Sequence, residues 1–350
     1  MRGRSKLYGA RRRSGFSPLK DLPMPLKHIF GVDHVVVTAR DLDAAAKTWA
    51  GLGFTLSPRG THSPLLGTAN YTIMLQEDYL ELLSVLVETE QNKPTRDFLK
   101  EREGIERTAF TTDSAADGAA EIKARGFEPL GPVHFGRPVD LPNGGKSEAK
   151  FNVFRWPLSE RPGGMRIFAC QHLTRETVWI PEIMTHANGA TRVARIEILS
   201  GDAKAAATHM SRLIDEPASE VSAGCWRVPA GGRRADFVFL DQAAFAARYP
   251  AAVREGAAKE GAVALALGTS DVTRAAKALG ATGVVHDARR AQRLGRARHV
   301  AGAEGERHGT FLGGTFAHGG GIARRERGLV KKHEIRAPSA YRHAPRPASS

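Results

Sequence analysis

The chain of 350 residues lacks features that several common classes of protein require. Its two cysteines, Cys170 and Cys225, are too few for a disulfide framework or a four-cysteine zinc site. It also has no run of about 18 apolar residues, so we expect no membrane span. A reducing, cytoplasmic setting is therefore the default expectation.

Sequence motifs of nucleotide and hydrolase chemistry are missing as well. No G-x-G-x-x-G follows a predicted strand, and neither G-x-x-x-x-G-K-[ST] nor G-x-S-x-G occurs. The glycine-rich segment 311–321 has no strand and helix around it. These absences argue against dinucleotide-binding, P-loop and α/β-hydrolase folds.

The positive charge is concentrated at the two ends of the chain. The net charge is +14, of which residues 1–28 carry +7 and residues 287–350 carry +9, whereas residues 29–286 carry −2. Because both ends also lack a periodic apolar face, we predict disordered basic arms at 1–27 and 287–350. A second interpretation of 287–350 is an out-of-frame reading of a GC-rich gene. Since the body is nearly neutral, nucleic acid is not an expected partner.

A pattern of one strand, one helix and three strands recurs along the body. In its first copy, Val32–Val37 is a buried β-branched run, and the next helix is capped by Asp41 and ends at Gly53. Three further strands are predicted at Phe54–Ser57, Asn70–Leu75 and Tyr79–Leu86. New copies begin near residues 108, 195 and 264, and the last copy lacks its closing strands. The predicted class is α+β, with paired β-α-β-β-β modules that form a cupped mixed sheet.

This repetition predicts two domains of paired modules, of which the second is incomplete. We place the first domain at 28–172 and the second, partial domain at 192–286. A polar, proline-containing linker, 173–191, would join them.

Four segments carry a resemblance to a known family: DHVVVTARDLDAAAKTWAGLGF (33–54), HSPLLGTANYTIML (62–75), YLELL (79–83) and CQHLTRETVWIPEIMTHANGA (170–190). With them, the chain resembles the glyoxalase-like domain proteins of the vicinal oxygen chelate superfamily. The resemblance covers roughly residues 28–285. It implies a cleft between paired modules in which a divalent metal chelates oxygen atoms of a small substrate.

In such families the metal ligands come from the first and last strands of the modules. The resemblance therefore implies His34 and Glu81 as ligands, with His172 as a third, and Zn, Fe, Mn or Ni as the metal. Other interpretations stay open at each position. His34 could form hydrogen bonds inside the sheet, Glu81 could face solvent or pair with an arginine, and His172 could be a loop residue.

The sequence departs from the family pattern at other ligand positions. Arg107 and Thr108 stand where the second module would supply another histidine, and Arg195 stands at the place of His34 in the second half. That half is therefore predicted to be a metal-free partner domain. We also expect His62 and Asn70 to bind substrate, although a tight turn would explain the same residues.

Together these features predict a glyoxalase-like enzyme, a metal-dependent lyase or isomerase acting on a small oxygen-rich substrate. The alternative is a metal-free protein of the same fold that binds and sequesters a small molecule. A homodimer is a further expectation. The fold by itself fixes no reaction.

Overall fold

The computed structural model describes residues 26–141, 144–231, 234–249, 251–254, 257–280 and 308–311. The first sheet consists of β1 Val32–Thr38, β2 Gly60–Thr61, β3 Thr68–Met74, β4 Tyr79–Val85, β5 Gly104–Thr111, β6 Leu130–Asp140, β7 Lys146–Arg155 and β8 Arg166–His172. The second consists of β9 Ala190–Leu199, β10 Ser219–Ser222, β11 Cys225–Pro229, β12 Asp236–Leu240, β13 Gly261–Thr269 and β14 His308–Phe311. The helices are α1 Leu42–Gly51, α2 Lys93–Glu101, α3 Ala115–Ala124, α4 Ala203–Ile214, α5 Gln242–Arg248, α6 Ala251–Arg254 and α7 Val272–Gly280.

The first sheet is built from two modules that meet at their first strands. Its strand order is β2-β3-β4-β1-β5-β8-β7-β6. In each module the first strand runs parallel to the last, β1 with β4 and β5 with β8, while β1 and β5 pair antiparallel. The predicted α+β class with paired β-α-β-β-β modules is therefore confirmed. The first strands lie at the centre of the sheet and are buried, which explains their β-branched, apolar sequence.

The second sheet repeats this arrangement incompletely, as predicted. Its order is β10-β11-β12-β9-β13-β14, with β9 parallel to β12 and antiparallel to β13. The fourth module contributes β13, α7 and the short β14, which pairs antiparallel with β13. Both sheets belong to one compact unit, and the rings of Phe110 and Phe237 meet across them with centroids 5.7 Å apart.

The second half holds a buried ion cluster near the position that matches His34. Arg195, the residue at that position, donates from Nε to Glu197 Oε1 at 3.2 Å. Arg248 Nη1 lies 2.9 Å from Glu197 Oε2, and the Tyr249 hydroxyl donates to the same oxygen at 2.5 Å. The carboxylate is thus surrounded by its own partners, and the metal-free character predicted for this half stays a prediction.

Two local predictions were wrong. Phe54–Ser57 does not form the second strand, and β2 consists of Gly60 and Thr61 instead. Ser57 N–H donates to the Thr72 carbonyl, but Pro58 has no N–H with which to continue the ladder. Helix α2 was missed because its stretch has few apolar residues and only Thr95 is buried.

The terminal arms and the linker differ in how far the structure describes them. The arm 1–27 lies outside the described residues except for its last two. Within 287–350, His308–Phe311 forms β14, which pairs with the free edge of β13, and the disorder predicted for this segment stays a prediction. The rest of that segment lies outside the described residues. The linker is packed: Asn188 is buried and donates from Nδ2 to the Leu52 carbonyl at 2.9 Å.

No helix in the described ranges is long and apolar enough to cross a membrane.

Candidate functional site

The candidate site begins at an irregularity in the central strand. The pairing of β1 with β5 shifts between Val32 and His34, so Asp33 is an extra residue in the ladder. A bulge of this kind turns a side chain away from strict alternation. As a result Asp33 and His34 approach each other, with Asp33 Oδ1 only 2.6 Å from His34 Nδ1.

Asp33 is fully buried at the centre of a hydrogen-bond network. His34 Nδ1 and His172 Nε2 both donate to Oδ1, at 2.6 and 2.9 Å, and the Thr111 hydroxyl donates to Oδ2 at 3.0 Å. Burial raises the pKa of Asp33, but the adjacent His172 and His34 outweigh it and hold this pKa well below its usual range. The ionised carboxylate only accepts hydrogen bonds, so it fixes the proton of His34 on Nδ1.

The opposite edge of the His34 ring, with Nε2, points towards Glu81 on the neighbouring strand. Because β1 and β4 are parallel, with Val36 beside Glu81 and His34 beside Tyr79, the imidazole and the carboxylate lie on one face. His34 Nε2 is 3.7 Å from Glu81 Oε2, which is longer than a hydrogen bond. The rings of His34 and Tyr79 stack at 4.4 Å and hold the imidazole in place.

Glu81 is buried but remains ionised. Burial raises its pKa, whereas the charges of His34, His62 and Arg107 and a hydrogen bond from Asn70 lower it, and the net effect is a lowered pKa. Asn70 Nδ2 donates to Glu81 Oε1 at 2.6 Å. Two polar atoms in this cluster form no hydrogen bond with a described residue, Glu81 Oε2 and His34 Nε2.

His62 approaches Glu81 from the opposite side. Its Nε2 lies 3.9 Å from Glu81 Oε1 and its Nδ1 lies 2.8 Å from the Thr68 hydroxyl. Burial, with help from Arg137 and Arg107, lowers the pKa of His62 to about 4 despite Glu81. His62 is therefore neutral at pH 7. Asn70 Nδ2 approaches its Nε2 at 3.4 Å, which favours a lone pair on that nitrogen.

These groups line a cavity of about 140 Å³. A buried water needs about 10–15 Å³ of such volume, so this cavity has room for on the order of ten water-sized groups and suits a small molecule. Its wall combines aromatic rings with an excess of basic side chains. The basic side chains are Arg107, Arg137, Arg155 and Arg166.

The structure brings together four of the five site residues predicted from sequence. His34, Glu81, His62 and Asn70 all line the cavity. His172 does not line it and lies behind Asp33, against the rings of Tyr79, Phe151 and Trp179. Sequence reasoning missed Asp33 and Arg137. No sequence motif marked Arg137, because its approach to the site depends on the pairing of β6 with β7 and not on residue spacing.

Two groups of side chains could hold a metal ion. Ligand atoms of Asp33, His34 and His172 lie within 4.8 Å of one another. Their facing atoms are already joined by hydrogen bonds, and a cation there would have to displace the protons. In the second group, His34 Nε2 and Glu81 Oε2 face each other at 3.7 Å with no hydrogen bond between them. A neutral imidazole and a carboxylate suit a divalent transition metal, and a carboxylate behind the histidine is the usual support for such a ligand. The second group fits an ion better.

Several solved structures are similar to parts of the chain. A hypothetical protein from Staphylococcus aureus is 14% identical over 60% of this chain and 85% of that chain, with a TM-score of 0.49. A mutant of 4-hydroxymandelate synthase from Streptomyces coelicolor is 15% identical over 75% and 77%, with a TM-score of 0.47. Methylmalonyl-CoA epimerase from Mycobacterium tuberculosis is 16% identical over 43% and 93%, with a TM-score of 0.33.

No curated protein matches the chain significantly in sequence. The family model described as Glyoxalase-like domain matches residues 32–214, which is just over half of the chain and includes every residue of the candidate site. The resemblance predicted from sequence is confirmed, and the chain belongs to the glyoxalase-like domain family.

Proposed function

We propose that the protein is a metal-dependent lyase or isomerase that acts on a small oxygen-rich substrate in the cavity of the first sheet. His34 and Glu81 would hold the divalent cation. One observation carries the proposal: His34 Nε2 and Glu81 Oε2 lie 3.7 Å apart in the cavity wall with no hydrogen bond between them.

The bound cation would polarise a carbonyl or enediolate-like oxygen of the substrate. The pair of ligands suits Zn, Fe, Mn or Ni. We propose a positioning role for His172, since its Nε2 donates to the carboxylate that holds His34.

The surrounding residues would bind the substrate and exclude water. Asn70 fixes the Glu81 carboxylate through its amide, and His62 offers Nε2 as an acceptor for a substrate hydroxyl group. The arginines of the cavity would stabilise negative charge on substrate oxygens. Rings of Tyr79, Phe151 and Phe168 form the apolar part of the wall.

A second candidate function is metal-free binding of a small molecule. The second module favours this metal-free function. Its first and last strands place Arg107 and Phe168 in the cavity wall, where further metal ligands would be needed. A site with two protein ligands binds metal less firmly than one with three.

Alanine variants separate the two metal positions and the two functions. In competition titrations with Zn²⁺ and a chromophoric chelator, His34→Ala and Glu81→Ala should each weaken binding at least 100-fold. His172→Ala should weaken it about 10–100-fold, the usual effect of losing a residue that orients a ligand. The matched control is His134→Ala, which removes an exposed histidine on β6.

Two results would contradict the proposal. If Glu81→Ala bound Zn²⁺ like the wild type while His172→Ala lost it, the ion would belong to Asp33, His34 and His172. If the folded wild-type protein bound none of the four metals, the binding function would replace the enzymatic one. Circular dichroism of each variant shows that the fold is retained.

A further inference from the structure

Arg137 is a buried cation without a partner. It lies on β6 with 7% of its surface exposed, and it lines the cavity. Among the described residues, none forms a hydrogen bond or an ion pair with its guanidinium. Burial lowers its pKa, while the more distant Glu81 and Tyr79 raise it too little to compensate. A buried guanidinium in this state is costly unless a ligand pairs with it.

The other buried arginines of the cavity are different. Arg107 and Arg166 both pair with the buried Glu106, and both approach the Thr95 hydroxyl, at 3.0 and 3.3 Å. Arg155 has an amide partner, Gln91. Arg137 alone among these four offers all of its donors.

The backbone leaves space for this guanidinium. Gly60 on β2 lies beside it, and a Cβ added there would come within 3.0 Å of Arg137 Nη1 and would also collide with Asn70 Oδ1. The same Asn70 oxygen is buried and accepts no hydrogen bond from a described residue. Asn70 in turn donates to Glu81, so its side chain lies between the Arg137 guanidinium and the proposed cation ligand Glu81.

The excess of positive charge in the cavity wall also calls for a negatively charged ligand. Of its carboxylates, Glu160 is already paired with His209 and Arg212, which leaves Glu81 to face Arg137, Arg155 and the remaining donors of Arg107. A divalent cation at Glu81 would increase the positive excess. Opposite charge in the ligand would offset the cost of burying these groups.

We propose that Arg137 binds a carboxylate group of the substrate, so that the substrate class is small carboxylic acids. This inference rests on the proposed function, because it assigns the substrate of the same cavity. The planar guanidinium matches a carboxylate with two parallel hydrogen bonds. The neighbouring rings of Phe135 and Phe151 accept the apolar part of such a molecule.

The test uses benzoate and its uncharged isostere benzamide as probes, with isothermal titration calorimetry on full-length protein freed of metal by chelation. Benzoate should bind the wild type at least tenfold more tightly than benzamide. Arg137→Gln should lose this difference, and Arg137→Lys should retain part of it, because a lysine keeps the charge without the planar pair of donors. The matched control is Arg59→Gln, which removes an exposed arginine next to Gly60 and should leave both affinities unchanged.

The proposal is overturned if benzoate does not bind the wild type, binds no better than benzamide, or binds Arg137→Gln as tightly as the wild type. It is also overturned if inorganic phosphate binds at Arg137 and benzoate does not. If Arg137→Gln fails to fold, the affinities of benzoate and benzamide for the wild type and for Arg137→Lys still test the proposal. Because the titration is done without metal, its result is independent of whether His34 and Glu81 hold a cation. Zn²⁺ affinity of Arg137→Gln should not fall below that of the wild type, since the change removes a positive charge that Glu81 faces.

Discussion

Asp33→Asn is expected to lower the free energy of unfolding by about 3–5 kcal/mol, the usual effect of removing one partner from a buried charged network. The carboxylate accepts three hydrogen bonds and has no exposed surface. If the amide oxygen takes the place of Oδ1, the NH₂ group takes the place of Oδ2 and faces the Thr111 hydroxyl, and the negative charge beside the two histidines is lost. The same change should weaken cation binding about 10–100-fold, because His34 loses the group that orients its ring.

Urea unfolding and Zn²⁺ titration of the variant measure the two effects. The matched control is Asp43→Asn, an exposed carboxylate whose ion pair with Arg59 at 3.2 Å should be worth about 0–1 kcal/mol. If Asp33→Asn were as stable as the control and bound Zn²⁺ like the wild type, the Asp33 carboxylate would not be what positions His34.

Asp78→Asn is expected to stabilise the protein at alkaline pH but not at acid pH. Asp78 lies in the turn between β3 and β4 and accepts the backbone N–H of Val193, on β9, at 2.9 Å. Burial raises its pKa from 3.8 to about 7, although Val193, Arg234 and Arg192 oppose that rise. The folded state therefore keeps a proton that the unfolded state releases, and its stability falls as pH rises from about 4 to about 7.

The asparagine keeps an acceptor for Val193 and does not ionise. The stability of the variant relative to the wild type should therefore rise by up to about 1.4 kcal/mol per pH unit in this window and stay constant above it. Urea unfolding at pH 5, 6, 7 and 8 measures this difference, with the exposed Asp43→Asn as the matched control. A difference for Asp78→Asn that is independent of pH would mean that Asp78 does not titrate in this window.

The sequence predicts the modules of this fold well because its central strands are buried on both faces. β1 and β13 are nearly continuous apolar runs, and β1, β5, β9 and β13 begin near the predicted positions. The proximity of His34 and Glu81 follows from the parallel pairing of the first and last strands in a module, which the resemblance to the family implied.

The rest of the site depends on features that periodicity does not encode. The bulge at Asp33 overrides the alternation that would place Asp33 and His34 on opposite faces. Arg137 reaches Asn70 and Gly60 only because β6 and β2, at the two ends of the strand order, approach each other in space. The direction of His172 is set by a hydrogen bond to a residue 139 positions away.

Anomalous diffraction from crystals soaked in Mn²⁺ or Zn²⁺ tests the central claim most directly, because it locates the ion. The account predicts one anomalous peak within coordination distance, about 2.0–2.2 Å, of both His34 Nε2 and a Glu81 carboxylate oxygen. A peak between Asp33 and His172, or a fully ordered cavity with no peak at either position, would contradict it.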